Sequence, residues 1–139
     1  MASERTLAIV KPDAVARGLT GTLLARIESE GLRIVALRMV RLSPREVEGF
    51  YAVHRDKPFF SPLVAFMTSG PSVLAVLEGE DAIRRWRACM GATDPMEADE
   101  GTIRRTYAES KQRNAVHGSD GPSSAAFEIG WFFRGLDLA

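Results

Sequence analysis

The stretch "LRIVALRMVRLSPRE", Leu32 to Glu46, contains two kinds of local instruction in fifteen residues. From Leu32 to Leu42 it is rich in β-branched and long apolar side chains and has no turn former, which suits a strand. Ser43, Pro44 and Glu46 then mark a helix start. The serine can cap, proline fits the first helical position, and the glutamate three residues on completes a capping box. The stretch therefore predicts a strand that runs directly into a helix, with the helix continuing to about Ala52.

Reading outward on the N-terminal side, "RTLAIVK" (Arg5 to Lys11) is a short, apolar, β-rich run that Pro12 ends. A helix is expected from about Thr20, with Leu19, Leu23, Leu24 and Ile27 along one face and Gly31 as its stop. On the C-terminal side, a helical piece covers Phe60 to Thr68, just before Gly70. "SVLAVLEG" (Ser72 to Gly79) reads as a third strand and Asp81 to Cys89 as a helix. Gly91 to about Gly101 is an irregular loop, "AVH" (Ala115 to His117) a short fourth strand, and Ser123 to Phe133 a last helix. Strands alternating with helices predict an α/β sandwich in the βαββαβ order of ferredoxin-like domains, a four-stranded antiparallel sheet covered by helices.

Composition narrows the possible functions. The 139 residues suit a single domain, residues 1–139, built around one apolar core. Eighteen basic residues balance eighteen acidic ones, so no overall charge draws the chain to nucleic acid or to a membrane. The basic residues that matter are local: Lys11, Arg87 and Arg104. Of Arg84, Arg85 and Arg87, two read as a solvated helix face. Cys89 is the only cysteine, so no intramolecular disulfide forms and a buried, inert thiol is expected. The N-terminus lacks a signal-peptide layout, and no apolar run approaches the roughly 20 residues of a membrane span. A cytoplasmic protein is the expectation.

The chemistry concentrates in "RNAVHGSDG", Arg113 to Gly121. His117 lies among an amide (Asn114), a hydroxyl (Ser119), a carboxylate (Asp120) and two glycines that let backbone approach a ligand closely. A neutral imidazole can attack through one nitrogen while a partner holds the other. Glu128 could be that partner, although eleven residues separate the two. A metal centre is disfavoured, because His54 and His117 stand far apart without a ligand array. The chain has no G-x-x-x-x-G-K-[ST] phosphate loop, so side chains must hold any nucleotide.

"NAVHGSD" (Asn114 to Asp120) resembles the N-x-x-H-G-S-D signature of nucleoside diphosphate kinases. "KPD" at Lys11, "KPFF" at Lys57, "SGP" at Ser69, "GATDP" at Gly91 and "GTIR" at Gly101 follow in the same family's order. The resemblance runs from about Glu4 to Phe133, and the chain's close soon after Phe133 is similar to short bacterial-type members. It implies a ferredoxin-like sandwich and a ping-pong transfer of the terminal phosphate of a nucleoside triphosphate, typically ATP, to nucleoside diphosphates. By the same resemblance His117 is the nucleophile, usually through Nδ1, and Glu128 with Ser119 orients its ring. Lys11, Tyr51 and Asn114 surround the ribose 3′-hydroxyl and the reacting phosphate. Arg87, Thr93 and Arg104 bind phosphate, His54 stands where many members have a further ligand, and Phe59 stacks on the base. Mg²⁺ is implied through the nucleotide phosphates, and so is a homo-oligomer of dimers assembled into a tetramer or hexamer.

Some positions depart from that family's pattern. Gly121 and Pro122 replace the residues common after H-G-S-D, which alters the start of the last helix more than the chemistry. Thr106 stands where aspartate is usual. Lys111 takes a place that is usually apolar and close to the base. Two other functional classes stand beside the enzyme: a non-catalytic nucleotide-binding regulatory protein on the same fold, and an unrelated ferredoxin-like interaction module. The presence of His117, Lys11 and Arg104 speaks against the former, and the polar constellation against the latter.

Overall fold

The computed structural model describes residues 3–139. Strands β1 (Ser3–Val10), β2 (Arg33–Val40), β3 (Ser72–Glu80) and β4 (Val116–Gly118) form one antiparallel sheet in the order β2-β3-β1-β4. β1 lies inside the sheet. It pairs along its whole length with β3, from Ser3↔Glu80 to Val10↔Val73, and at its end with β4, from Ala8↔Gly118 to Val10↔Val116. The four-stranded, helix-covered sandwich is the one expected.

Alternation along the two central strands sorts their side chains onto opposite faces. Ala8, Val10, Val73, Ala75 and Leu77 pack with residues of α2 (Thr20–Ser29) and α5 (Ala82–Met90). Leu7, Ile9, Leu74 and Val76 pack with residues of α3 (Pro44–Phe50), α4 (Phe60–Met67) and α7 (Pro122–Phe132). The sheet thus separates two apolar cores, where composition suggested one. Burial on both faces is why β1 and β3 read as unbroken apolar runs.

The strand-to-helix junction forms as Ser43 and Glu46 dictate. Ser43 Oγ accepts from the Glu46 amide at 3.1 Å, and Glu46 Oε1 accepts from the Ser43 amide at 2.8 Å. Two short helices were not legible: α1 (Pro12–Ala16) and α6 (Ile103–Tyr107), five residues each. At that length there is no apolar period to detect. α3 ends at Phe50 rather than Ala52, and a 3₁₀ turn at Ala52–His54 follows it. β4 begins one residue later than expected because Ala115 has φ +73°, outside any strand conformation.

Cys89 is buried in the α2–α5 core, where desolvation pushes its thiol up. Arg84 and Arg87 are the two exposed arginines, Arg84 pairing with Asp81, while Arg85 is half-buried and donates to the carbonyls of Glu80 and Glu30. Thr106 makes only a local bond, to the Thr102 carbonyl. Among the described residues, no helix is long and apolar enough to cross a membrane.

Candidate active site

The short strand β4 decides where the histidine points. Val116 and Gly118 face α5, and His117, between them, faces the opposite side, toward α3 and α7. Gly118 has a steric reason to be glycine. A Cβ there would sit 2.6 Å from Trp86 Cδ1 and 2.6 Å from Met90 Cε. The indole that occupies this space donates from Nε1 to the His117 carbonyl at 3.1 Å. The backbone on either side of the imidazole is therefore locked by a buried ring.

α7 supplies the partner for the histidine. Gly121 is its cap residue, Pro122 takes the first helical position, and Ser124 Oγ accepts from the Gly121 amide at 3.0 Å. Gly121 and Pro122, the departures from the family's usual residues, thus form the start of this helix. About one turn beyond Ser124, Glu128 Oε1 lies 2.8 Å from His117 Nε2 and also accepts from Ser119 Oγ at 2.8 Å. Ser119 is itself anchored, accepting from the Leu7 amide at 3.2 Å.

This arrangement sets the tautomer. A carboxylate can only accept, so Nε2 carries the proton and Nδ1 keeps its lone pair. Burial lowers the pKa of His117 below its ordinary value, outweighing the raising effect of Glu128, and Lys11 and Arg104 lower it further. The ring is neutral at pH 7 and able to attack.

Around His117 opens a cleft of about 610 Å³. The structure brings to its walls Lys11, Tyr51, His54, Phe59, Arg87, Thr93, Arg104, Lys111, Asn114, His117 and Glu128, every candidate except Ser119, which reaches the site through Glu128. Lys11 is buried and donates from Nζ to Asn114 Oδ1 at 2.8 Å; Asn114 in turn donates to the Thr93 carbonyl at 3.2 Å. Desolvation, and then the Arg104 guanidinium, lowers Lys11 to about 8, against a raising contribution from Asp13. Arg104 is lowered to about 10 by burial and by neighbouring Arg87, and stays charged at neutral pH. Its Nη1 and Nη2 donate to the carbonyls of Gly91 and Val116. Tyr51 is held protonated, its pKa raised by burial and by Glu128.

Beyond Tyr51 and His54 the cleft wall includes an exposed aromatic ring. Phe59 is 47% exposed and its ring centroid lies 5.4 Å from that of His54. An aromatic left half in water at a cleft mouth offers a stacking face; Tyr51, by contrast, is buried and packs edge-on to His117 at 6.3 Å. Lys111 stands at the rim with its side chain 76% exposed, its ammonium 4.0 Å from Asp94. Two contributors escaped the sequence reading. Phe50 meets the imidazole edge-on at 5.3 Å, and Trp86 holds its carbonyl. Nothing in their local sequence distinguishes them from ordinary core aromatics.

Buried cations beside the histidine and an exposed aromatic ring in the same cleft suit a nucleotide with its phosphates against the imidazole. If such a ligand passes its terminal phosphate to His117, Glu128→Gln should leave nucleotide affinity nearly intact and slow single-turnover labelling of the protein by roughly ten- to a thousandfold. Glutamine retains an acceptor for Nε2–H but loses the negative charge. An unchanged rate in rapid-quench measurements would remove Glu128 from the chemistry.

A family model described as nucleoside diphosphate kinase matches residues 4–138. The chain is 61% identical to the nucleoside diphosphate kinase of Nitrosospira multiformis over 138 residues, covering 99% of this chain and 98% of that one. It is 58% identical to the enzyme of the same name from Desulfosudis oleivorans, with 97% of each covered. Among solved structures, the nucleoside diphosphate kinase of Aquifex aeolicus superposes with a TM-score of 0.97 at 50% identity, covering 99% of this chain and 100% of that one. The halophilic enzyme from Halobacterium salinarum, determined in complex with CDP, gives 0.96 at 44% identity, covering 99% and 92%.

Proposed function

The chain belongs to the nucleoside diphosphate kinase family and is an enzyme moving terminal phosphate from nucleoside triphosphates to nucleoside diphosphates; we propose that Nδ1 of His117 holds that phosphate between two half-reactions. The supporting observation is the 2.8 Å contact between Nε2 and Glu128, which leaves the other nitrogen with its lone pair. In the first half-reaction Nδ1 forms a bond to the terminal phosphorus as the bridging bond to the leaving diphosphate breaks. No proton has to leave the ring. The positive charge that develops on it is balanced by Glu128. In the second, a diphosphate oxygen of the acceptor attacks the same phosphorus and the neutral imidazole departs.

The remaining residues align and neutralise. Lys11, Arg87 and Arg104 face the spreading negative charge of the transferring group, the main demand of phosphoryl transfer. Tyr51, Asn114, Thr93 and His54 complete the polar wall, and Phe59 stacks on the base. Stacking reads no hydrogen-bond pattern, so any base is accepted. Kinases generally work with a divalent cation. Here Mg²⁺ enters on the phosphates as part of the substrate; the cleft fits this, since Glu128 is committed to His117 and Asp120 already accepts from Ser124 Oγ at 2.6 Å. The chain works as one domain, residues 1–139, in the cytoplasm. It assembles as dimers within a tetramer or hexamer, a reading supported by the exposed Leu37 and Met39 on outer strand β2. No observation favours the non-catalytic alternative.

The direct test incubates the protein with Mg²⁺ and γ-labelled ATP. Acid-labile, base-stable label should appear on the chain and move to added GDP, CDP or UDP. Failure to label would overturn the covalent mechanism.

Lys111 tests the breadth of acceptance. Its ammonium is drawn toward Asp94, and an exposed contact with a base is worth about 0.5–1 kcal/mol. Lys111→Ile should thus change the kcat/KM ratios among ADP, GDP, CDP and UDP by no more than about fivefold. A hundredfold preference that disappears in the isoleucine variant would make Lys111 a specificity element instead.

A further inference from the structure

Two residues before His117 the backbone takes a costly path. Ala115 is completely buried and has φ +73°, a conformation that side chains with a Cβ rarely adopt. The Val116 amide donates to the Asn114 carbonyl at 2.8 Å, so these three residues form a γ-turn of the rarer, strained hand centred on Ala115. Such strain persists only where surrounding groups over-determine it.

Those groups come from the start of α1. The Ala115 amide donates to Asp13 Oδ2 at 3.1 Å, and the Lys11 amide donates to the Ala115 carbonyl at 2.8 Å. Both polar groups of the strained residue are therefore held by the Lys11–Asp13 segment. Asp13 is 4% exposed, and its other oxygen, Oδ1, is buried without a hydrogen-bond partner. Within two residues of the turn lie Asn114, which accepts from Lys11 Nζ, Val116, whose carbonyl accepts from Arg104, and His117 itself.

We infer that Asp13 is a positioning residue for phosphoryl transfer: it pins the strained turn at Ala115 and so fixes Asn114 and His117 in register with Lys11 and Arg104. It touches no substrate. The inference rests on His117 as the phosphate carrier. Displacements of about an ångström in reacting groups can cost a hundredfold in rate, which sets the scale of the effect.

The test compares Asp13→Ala, Asp13→Asn, Ala115→Gly and Asp13→Ala/Ala115→Gly in single-turnover labelling from Mg-ATP, with nucleotide affinity measured in parallel. Asp13→Ala should label roughly ten- to a hundredfold more slowly with affinity changed by no more than about threefold. Asp13→Asn retains an acceptor oxygen and should stay within about fivefold of the natural protein. Glycine takes φ +73° without strain. Ala115→Gly alone should be near normal, and the double variant should regain most of the lost rate. Should Asp13→Ala fail to fold, the double variant is expected to fold and to label. A natural labelling rate in Asp13→Ala, or a double variant that is inactive or unfolded, overturns the inference. So does a loss that glycine leaves unrepaired while the alkaline limb of the pH profile moves down, because Asp13 would then be acting on the charge of Lys11. Failure of the natural protein itself to label would count against His117, not against Asp13.

Discussion

His117→Ala should bind Mg-nucleotides within a few-fold of the natural affinity and transfer no measurable phosphate, a loss in kcat of roughly 10⁴-fold or more. The asymmetry follows from the layout of the cleft. Lys11, Arg87, Arg104 and Phe59, which line the cleft and are proposed to hold the nucleotide, do not depend on the imidazole for their place there. Glu128 keeps its bond from Ser119, so the variant gains no fully unpaired carboxylate. The check is a pair of measurements: equilibrium binding, and mass or label retention after exposure to Mg-ATP. Base-stable label on the alanine variant would place the nucleophile elsewhere.

Lys11→Met is the second large effect, expected at roughly 10²–10³-fold in kcat/KM, the scale of removing one aimed charge from a water-poor site. The natural protein should show the same dependence through pH. In the free enzyme Lys11 titrates at about 8, so its cation is present below that and lost above it. kcat/KM should accordingly fall as pH rises through about 8, and fall on the acid side only below the ordinary histidine range, because His117 is depressed. Bound phosphate raises the pKa of Lys11, so kcat should hold to higher pH than kcat/KM. Lys11→Met should lose the alkaline limb.

Stability should move the opposite way. Between about 8 and the ordinary lysine value, the unfolded chain binds a proton that the folded one has released. Lys11 therefore adds stability as pH rises through that window. Thermal melts of the natural protein and Lys11→Met across pH 7.5–10 check the sign. A natural protein whose stability relative to the variant falls over that range would contradict the depressed lysine.

The parts of this molecule readable from its sequence are those where a residue type at a fixed offset performs a local task. Ser43, Pro44 and Glu46 fix a helix start, and the joint motifs around Lys11, Gly91, Gly101 and His117 identify the family. α1 and α6 lack the length that periodicity needs, though a proline after Lys11 and the Thr102 cap were available as start signals. The contact between His117 and Glu128 depends on where α7 leaves β4, which no spacing of eleven residues reveals. The turn at Ala115 is hidden more deeply still. A left-handed residue is normally betrayed by glycine, and here it is alanine.

The pairing of β4 with β1 also orders events during synthesis. Val10 leaves the ribosome before its neighbour in the sheet, Val116, which follows more than a hundred residues later. At roughly 5–20 residues per second, the ribosome takes on the order of 5–20 s to supply it. Throughout that interval the half-built chain has Lys11 but no histidine carrier, and β1 presents an unpaired edge where β4 will dock. On the proposed mechanism, such a chain has no group to carry the phosphate. On that mechanism, transfer waits for β4, which bears His117, to pair with β1 and for α7 to bring Glu128 behind it.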